Sequence, residues 1–397
     1  MKKISVITVA RSDFGHYMPV LRQIQEDPDL RLSLIVSGMH LSPEFGMTVS
    51  NIEEEGFRVD HKVEMLLSSD TPEGISKSIG LGTIGFAQVY TQCKPDIIVV
   101  LGDRFEMYSA VLAALPFKIP IAHIEGGAVT EGAIDDALRH SITKMSHIHF
   151  VSTKEYARRV IQMGEEPDRV HVTGSPTLDN LHQIRLLSRD ETQSDFELKL
   201  PEKFLLVTYH PVTLEYENVS WQVKELLYAL EKSHLHIIFT MPNCDTGGYT
   251  IRNQIREFAK NNPYAQIIEN LGTQGYFSIM SLATAMIGNS SSGLVETPSF
   301  KLPVVNIGNR QKGKVRCSNV IDVGYSKDEI YAGIQTAISP EFKEKTRSVV
   351  NLYGDGHAAG RIVSVLKEIT LNQKLLIKSF VDHVFEFEQR PLNYINS

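Results

Sequence analysis

Residues 96–103 read DIIVVLGD, five aliphatic residues in succession closed by Gly-Asp. An apolar run without polar alternation fits a strand covered on both faces, as in a parallel sheet. Moving outward, similar runs recur at ISVITV (4–9), LSLIVS (32–37), IPIAHIEGG (119–127), HIHFVS (147–152) and VHVTG (170–174). A second series comprises FLLVTYH (204–210), HIIFT (236–240), AQIIEN (265–270), AMIGNS (285–290) and LPVVNIG (302–308). Helical patterns separate the runs, the alternation that builds parallel sheets. Between the two series lies LLSRDETQSDFELKLPEK (186–203), which reads as an inter-domain linker. The expected fold class is α/β, with two Rossmann-like domains facing each other across a cleft. The expected bounds are 1–185 and 186–370, followed by a tail, 371–397, with enough Phe, Leu and Val to pack on the N-terminal domain.

The 397 residues suffice for two cores, and 42% hydrophobic with 22% charged residues is ordinary for a soluble protein. A formal charge of -7, without long runs of one sign, speaks against a nucleic-acid partner. Cys93, Cys244 and Cys317 show neither metal-ligand spacing nor a disulfide framework, which fits a reducing compartment. The N-terminal MKKISVITVA has an apolar run too short for a signal peptide, and no stretch approaches the roughly 20 apolar residues of a membrane span. The expectation is a cytoplasmic protein with no membrane contact, no metal and no cofactor.

Ligands of doubly wound sheets bind beyond the carboxyl ends of the strands, so the polar residues closing each run are the candidates. ARSDFG (10–15) offers Arg11 and Asp13, and GDR offers Asp103 and Arg104, though an Asp there also reads as a helix cap. In HIEGGAVTEGAIDDALRH (123–140), His123 and Glu125 end a strand, and Gly126–Gly127 permit a tight turn. Apolar residues at 134, 137, 138, 142 and 145 then set a helical period. On it Asp135 and Arg139 share one flank, Asp136 and His140 another. Helix-start and loop charge account for Asp136 and Glu131. In the second half, His210 closes a strand. Ser290–Ser292 in GNSSSGLVETPSF either cap a helix or offer hydroxyls and a helix N-terminus to a phosphate. Glu296, one turn in, suits ribose hydroxyls or the helix dipole. The loop VNIGNRQKGKVR (305–316) carries Arg310, Lys312, Lys314 and Arg316; Arg310, nearest the strand end, is the favoured phosphate partner.

GDRFE, HIEGG…IDDALRHSITKMSH, HPVT, MPNCDTGG, IGNSSSGLVE and NIGNRQKGKVR together resemble the hydrolysing UDP-N-acetylglucosamine 2-epimerases of sialic acid biosynthesis, in order from about residue 3 to residue 369. The resemblance implies the glycosyltransferase-B type of fold, with UDP mainly on the C-terminal domain. His210, Ser290, Ser291, Glu296 and Arg310 match family residues around diphosphate and ribose, and Asn243 matches a position near the nucleotide. Arg11 and Asp13 match a loop approaching the ligand. Asp103, His123, Glu125, Asp135 and Arg139 match the reactive cluster. Relatives imply a homo-oligomer, dimer or tetramer.

The implied reaction takes UDP-N-acetylglucosamine and water to UDP and N-acetylmannosamine. The C2 hydrogen is weakly acidic, so departure of UDP leads, and oxocarbenium character at C1 loosens C2–H. A base removes that proton to give a 2-acetamidoglucal, to which water adds with inversion at C2. Asp103 and Glu125 are expected to share base and acid duties, Asp135 to support hydration, and His123 to position a carboxylate or the leaving oxygen. The helix start at Ser290, with Arg310, is expected to stabilise the departing diphosphate. Ala128, with a lengthened loop after the double glycine, departs from many relatives. It brings in a second substrate, UDP-2,4-diacetamido-2,4,6-trideoxyglucose of legionaminic acid synthesis, after UDP-N-acetylglucosamine. A UDP-sugar glycosyltransferase or a silent nucleotide-sugar sensor would have little need of the acid cluster.

Overall fold

The computed structural model describes residues 1–69, 71–131, 134–242, 248–269 and 271–382. The first unit contains strands β1 (Lys2–Thr8), β2 (Leu30–Ser37), β3 (Val59–Val63), β4 (Ile97–Leu101), β5 (Ile121–Ile124), β6 (Ile148–Val151) and β7 (Val170–Val172). The second contains β8 (Phe204–Thr208), β9 (His236–Thr240), β10 (Ala265–Ile268), β11 (Ala285–Gly288), β12 (Val304–Ile307) and β13 (Val320–Val323). The sheets run β3-β2-β1-β4-β5-β6-β7 and β10-β9-β8-β11-β12-β13, and their pairs are parallel. The order reverses between β1 and β4 and between β8 and β11, where doubly wound sheets open a crevice for ligand. All five residues of β4 are buried, as the opening run requires. No helix among the described residues is long and apolar enough to cross a membrane.

Two strands lie outside the apolar runs. VDHKV (β3) and VIDV (β13) are edge strands, mostly half-buried, and an edge accepts polar residues that a central strand does not.

The supposed linker belongs to the second unit. Ser188 and Glu191 form a capping box on helix Arg189–Asp195, and Leu198 and Leu200 enter the core with Phe204 and Ile279. Its polar letters face solvent while those leucines anchor it. The expected bound at 370 also moves. Helix Ala358–Glu368 packs on helix Arg11–Glu26, burying Ala359, Ile362 and Leu366 with Tyr17, Leu21 and Ile24 of the first unit. Asp179 accepts from the N–H groups of Ala358 (2.9 Å) and Ala359 (2.7 Å), anchoring the returning helix. The described tail stays on the first unit too. Leu375 joins its core, and Lys378 Nζ reaches buried Glu165 at 2.8 Å.

The chain therefore crosses between units twice, and the crossings touch. Ser175 N–H donates to Tyr353 C=O at 2.7 Å, and His182 Nε2 lies 3.0 Å from Asp355 C=O. At Gly174 (φ +89°) an added Cβ would sit 3.2 Å from Gly354 Cα, so neither crossing has room for a side chain there.

Candidate functional site

The carboxyl ends of β4 and β5 carry the acidic side of the cleft. Asp103 follows Gly102 (φ +74°), a turn that glycine accepts readily. Its Oδ2 accepts from Nη2 of Arg139, on helix Ile134–Met145. Arg139 is 4% exposed and is shared four ways. It also donates to Ala128 C=O (2.9 Å) and Thr130 Oγ1 (2.8 Å), and lies 3.4 Å from Asp136 Oδ1. Asp136 in turn accepts from Thr130 N–H at 2.7 Å. The loop after the double glycine is thus fastened to the helix that follows it. The i,i+4 reading put Asp135 beside Arg139; Arg139 instead turns to Asp103 and Asp136. Asp135 is half-buried, and its charge acts on Arg104. Burial works against the Arg104 guanidinium, but the bidentate partner Glu106 (3.0 and 3.1 Å) outweighs it, with help from Asp13 and Asp135, and the pKa rises.

Glu125 stands just past β5 in the left-handed region (φ +66°), a strained position for a non-glycine residue. Its Oε1 accepts from Ser175 Oγ at 2.6 Å. Ser175 directly follows the run VHVTG, so the strand-end rule would have found it.

His123 is the third residue of β5. It is fully buried, and its Nε2 donates to Gly102 C=O at 2.8 Å. A carbonyl only accepts, so Nδ1 is the acceptor facing Thr143 Oγ1 at 3.2 Å. Burial lowers its pKa to about 3, against the Gly102 bond, so the ring is neutral. With both nitrogens engaged and no exposed surface, it holds the Gly102–Asp103 turn.

Of the N-terminal pair, Arg11 is exposed at the first residue of helix Arg11–Glu26. Asp13 is turned inward, accepting from the N–H groups of Val9 (2.8 Å) and Ala10 (2.7 Å). Burial raises its pKa to about 6 despite those bonds and the nearby Arg104 charge. It fixes the turn that presents Arg11.

The second unit offers a polar floor. The side chain of Asn289 joins two strand ends, accepting from His210 N–H (2.7 Å) and donating to His210 C=O (2.8 Å). Its own carbonyl accepts from Arg310 Nη1 (3.1 Å) and Gln311 Nε2 (2.8 Å). Burial, then the Arg310 charge, lowers the His210 pKa to about 3. Ser290 is buried, and its Oγ accepts from Ser292 N–H at 3.3 Å. Ser291 stands at the N-terminal cap position of a helix of only four residues, Ser292–Val295, without a side-chain capping bond. The macrodipole expected there is correspondingly small, so an anion would rely on individual N–H groups and hydroxyls. Half-buried Tyr276, within a helix and invisible to the run-end rule, has its pKa raised by burial, against the pull of Ser292, Thr208 and Ser290. Glu296 is buried; Thr177 Oγ1 donates to its Oε1 at 3.3 Å, while its Oε2 has no hydrogen-bond partner among the described residues. A buried acceptor in that condition can take a hydroxyl donor. Asn243 lies outside the described residues.

Comparison with known proteins agrees with this two-walled cleft. The family model described as UDP-N-acetylglucosamine 2-epimerase matches residues 22–367. The chain is 39% identical to a GDP/UDP-N,N'-diacetylbacillosamine 2-epimerase (hydrolyzing) of Campylobacter jejuni, over 96% of this chain and 99% of that one. It is 36% identical to a UDP-N,N'-diacetylbacillosamine 2-epimerase (hydrolyzing) of Legionella pneumophila, over 95% and 99%. In fold it is similar to the UDP-GlcNAc 2-epimerase from Neisseria meningitidis bound to UDP-GlcNAc, with TM-score 0.80 and 20% identity over 92% and 99% of the chains. With two parallel sheets and that neighbour, the fold is of the glycosyltransferase-B type. This chain belongs to the UDP-N-acetylglucosamine 2-epimerase family, in its hydrolysing branch.

Proposed function

We propose that the protein hydrolytically epimerises UDP-2,4-diacetamido-2,4,6-trideoxyglucose, the UDP form of N,N'-diacetylbacillosamine, at C2. The observation that carries this order of substrates is the identity, across nearly whole chains, to two enzymes named for that sugar. The Ala128–Val129 loop supports it, because an apolar wall suits a sugar whose C6 is a methyl group. This reverses the order expected from the sequence. UDP-N-acetylglucosamine is the second reading, favoured by the description of the family model.

In this reading the C1–O bond breaks, and its electron pair leaves on the β-phosphate. The C2 proton passes to a carboxylate, which closes the C1=C2 double bond. Water then adds its hydroxyl to C1, and a proton returns to C2 on the opposite face. Asp103 faces a guanidinium and Glu125 a hydroxyl, the difference of surroundings that a division between acid and base requires. Asp135 serves hydration from the first helical turn. UDP lies on the second unit, with the ribose at Glu296 Oε2 and the diphosphate among Ser290, Ser291, His210 and Arg310, approached by Arg11.

The test is a side-by-side incubation with both UDP-sugars in deuterated water, followed by NMR. Release of UDP and the diacetamido mannose epimer, deuterated at C2, is the expected result. Turnover of UDP-N-acetylglucosamine alone selects the second reading, and turnover of neither refutes both.

A further inference from the structure

The basic loop at 309–316 holds a cation to which the reading above gives no role. Lys312 leaves the loop to meet Glu131 of the first unit at 3.0 Å. Gly313 (φ +84°) lies so close that an added Cβ would sit 2.7 Å from Val129 Cγ1. On the other side, Tyr353 Oη donates to Val315 C=O at 2.8 Å. Arg316 donates to Gln311 C=O (3.0 Å) and Lys314 C=O, and pairs with Asp322 at 2.8 Å. The backbone around Lys314 is therefore fastened to both walls of the cleft.

Four charges act on the half-buried Lys314 ammonium. They are Arg139 from helix Ile134–Met145, Arg310 from its own loop, Glu125 from the turn after β5, and Glu296 from the end of helix Ser292–Val295. Tyr353, on the returning crossing, has its pKa raised by burial and stays neutral.

We propose that Lys314 is a further catalytic residue, whose ammonium group takes up the charge developing on the β-phosphate as the C1–O bond breaks. Opposite charges held ready for the leaving group are worth most in an enclosed cleft. The loop that carries it is tied at Lys312 and Gly313 to Glu131 and Val129 of the first unit and at Val315 to Tyr353, which sets Lys314 where the sugar side meets the nucleotide side. Enclosure lowers the Lys314 pKa to about 7, Arg139 and Arg310 add to this, and Glu125 and Glu296 oppose it. The free enzyme then loses this cation as the pH rises through neutrality, and a bound diphosphate restores it.

This rests on the cleft being the UDP-sugar site, so wild-type turnover is measured first. No turnover of either UDP-sugar sinks that reading and this proposal with it. With wild type active, Lys314→Met should lower kcat by about 100-fold with thermal unfolding unchanged. Lys314→Arg, whose guanidinium stays charged, should recover part of that loss and remove the alkaline fall of kcat/KM near pH 7. Lys314→Met within twofold of wild type overturns the proposal, as does Lys314→Arg with the alkaline limb in place.

Discussion

His123 permits a sharp test, because its buried neutral ring ties stability to pH in a calculable way. In the unfolded chain the imidazole has a pKa near 6.5, while in the fold burial holds it at about 3. Below pH 6.5 the unfolded state gains a proton that the folded state refuses, so folding weakens as the pH falls. The contribution is complete above about pH 7. At pH 5, some 1.5 units below the unfolded pKa, the loss is about 2 kcal/mol at roughly 1.36 kcal/mol per unit. That figure depends only on the folded pKa lying well below 5. His123→Gln keeps an amide donor for Gly102 C=O and removes the titration. Urea unfolding of both proteins from pH 5 to 7.5 should show the wild-type advantage shrinking by about 2 kcal/mol toward the acid end. Buried His40, His147 and His210 titrate in both proteins and cancel. A difference that stays constant across this range refutes the neutral, buried assignment. Loss of kcat by a thousandfold in a stably folded His123→Gln would refute the positioning role.

Asp103→Asn should lower kcat by at least about 100-fold, measured as UDP release. Its stability cost in urea should be only about 1–2 kcal/mol, because Arg139 keeps Asp136 and two neutral acceptors. Glu296→Gln should weaken UDP binding about tenfold by calorimetry, since one face of the buried orphan acceptor becomes a donor; unchanged affinity would remove the ribose from that carboxylate. Gly288→Ala should destabilise the second unit by about 3 kcal/mol in thermal unfolding. Gly288 has φ +138°, and a methyl there would overlap the Thr208 carbonyl, displacing the strand end that leads to His210.

Much of the architecture was legible because central parallel strands need apolar residues on both faces, and DIIVVLGD states that without ambiguity. The edge strands at 59–63 and 320–323 escaped for the converse reason, since one side of each is free to be polar. The sequence pattern of residues 357–369 announces a helix, but the pattern says nothing of which sheet receives it. Only packing against Tyr17 and Leu21 decides that. In the site, the strand-end rule found Asp103, Glu125 and His210. It could not distinguish His123 from them, because His123 is still within β5 and buried, while Glu125 leaves the strand in a left-handed conformation that no local pattern announces. The link from Arg139 to Asp103 spans 36 positions, and the contact of Glu125 with Ser175 spans 50; neither has local periodicity to announce it.

The double crossing at Gly174 and Gly354 has a mechanical consequence. Strand β1 and helix Ala358–Glu368 share one core, and Lys2 Nζ donates to the carbonyls of Leu366 (2.8 Å) and Ile369 (2.7 Å). Tension applied between residue 1 and residue 382 is therefore borne within the first unit. The second sheet, reached only through the paired crossings, lies outside the force path and stays slack until the first core ruptures.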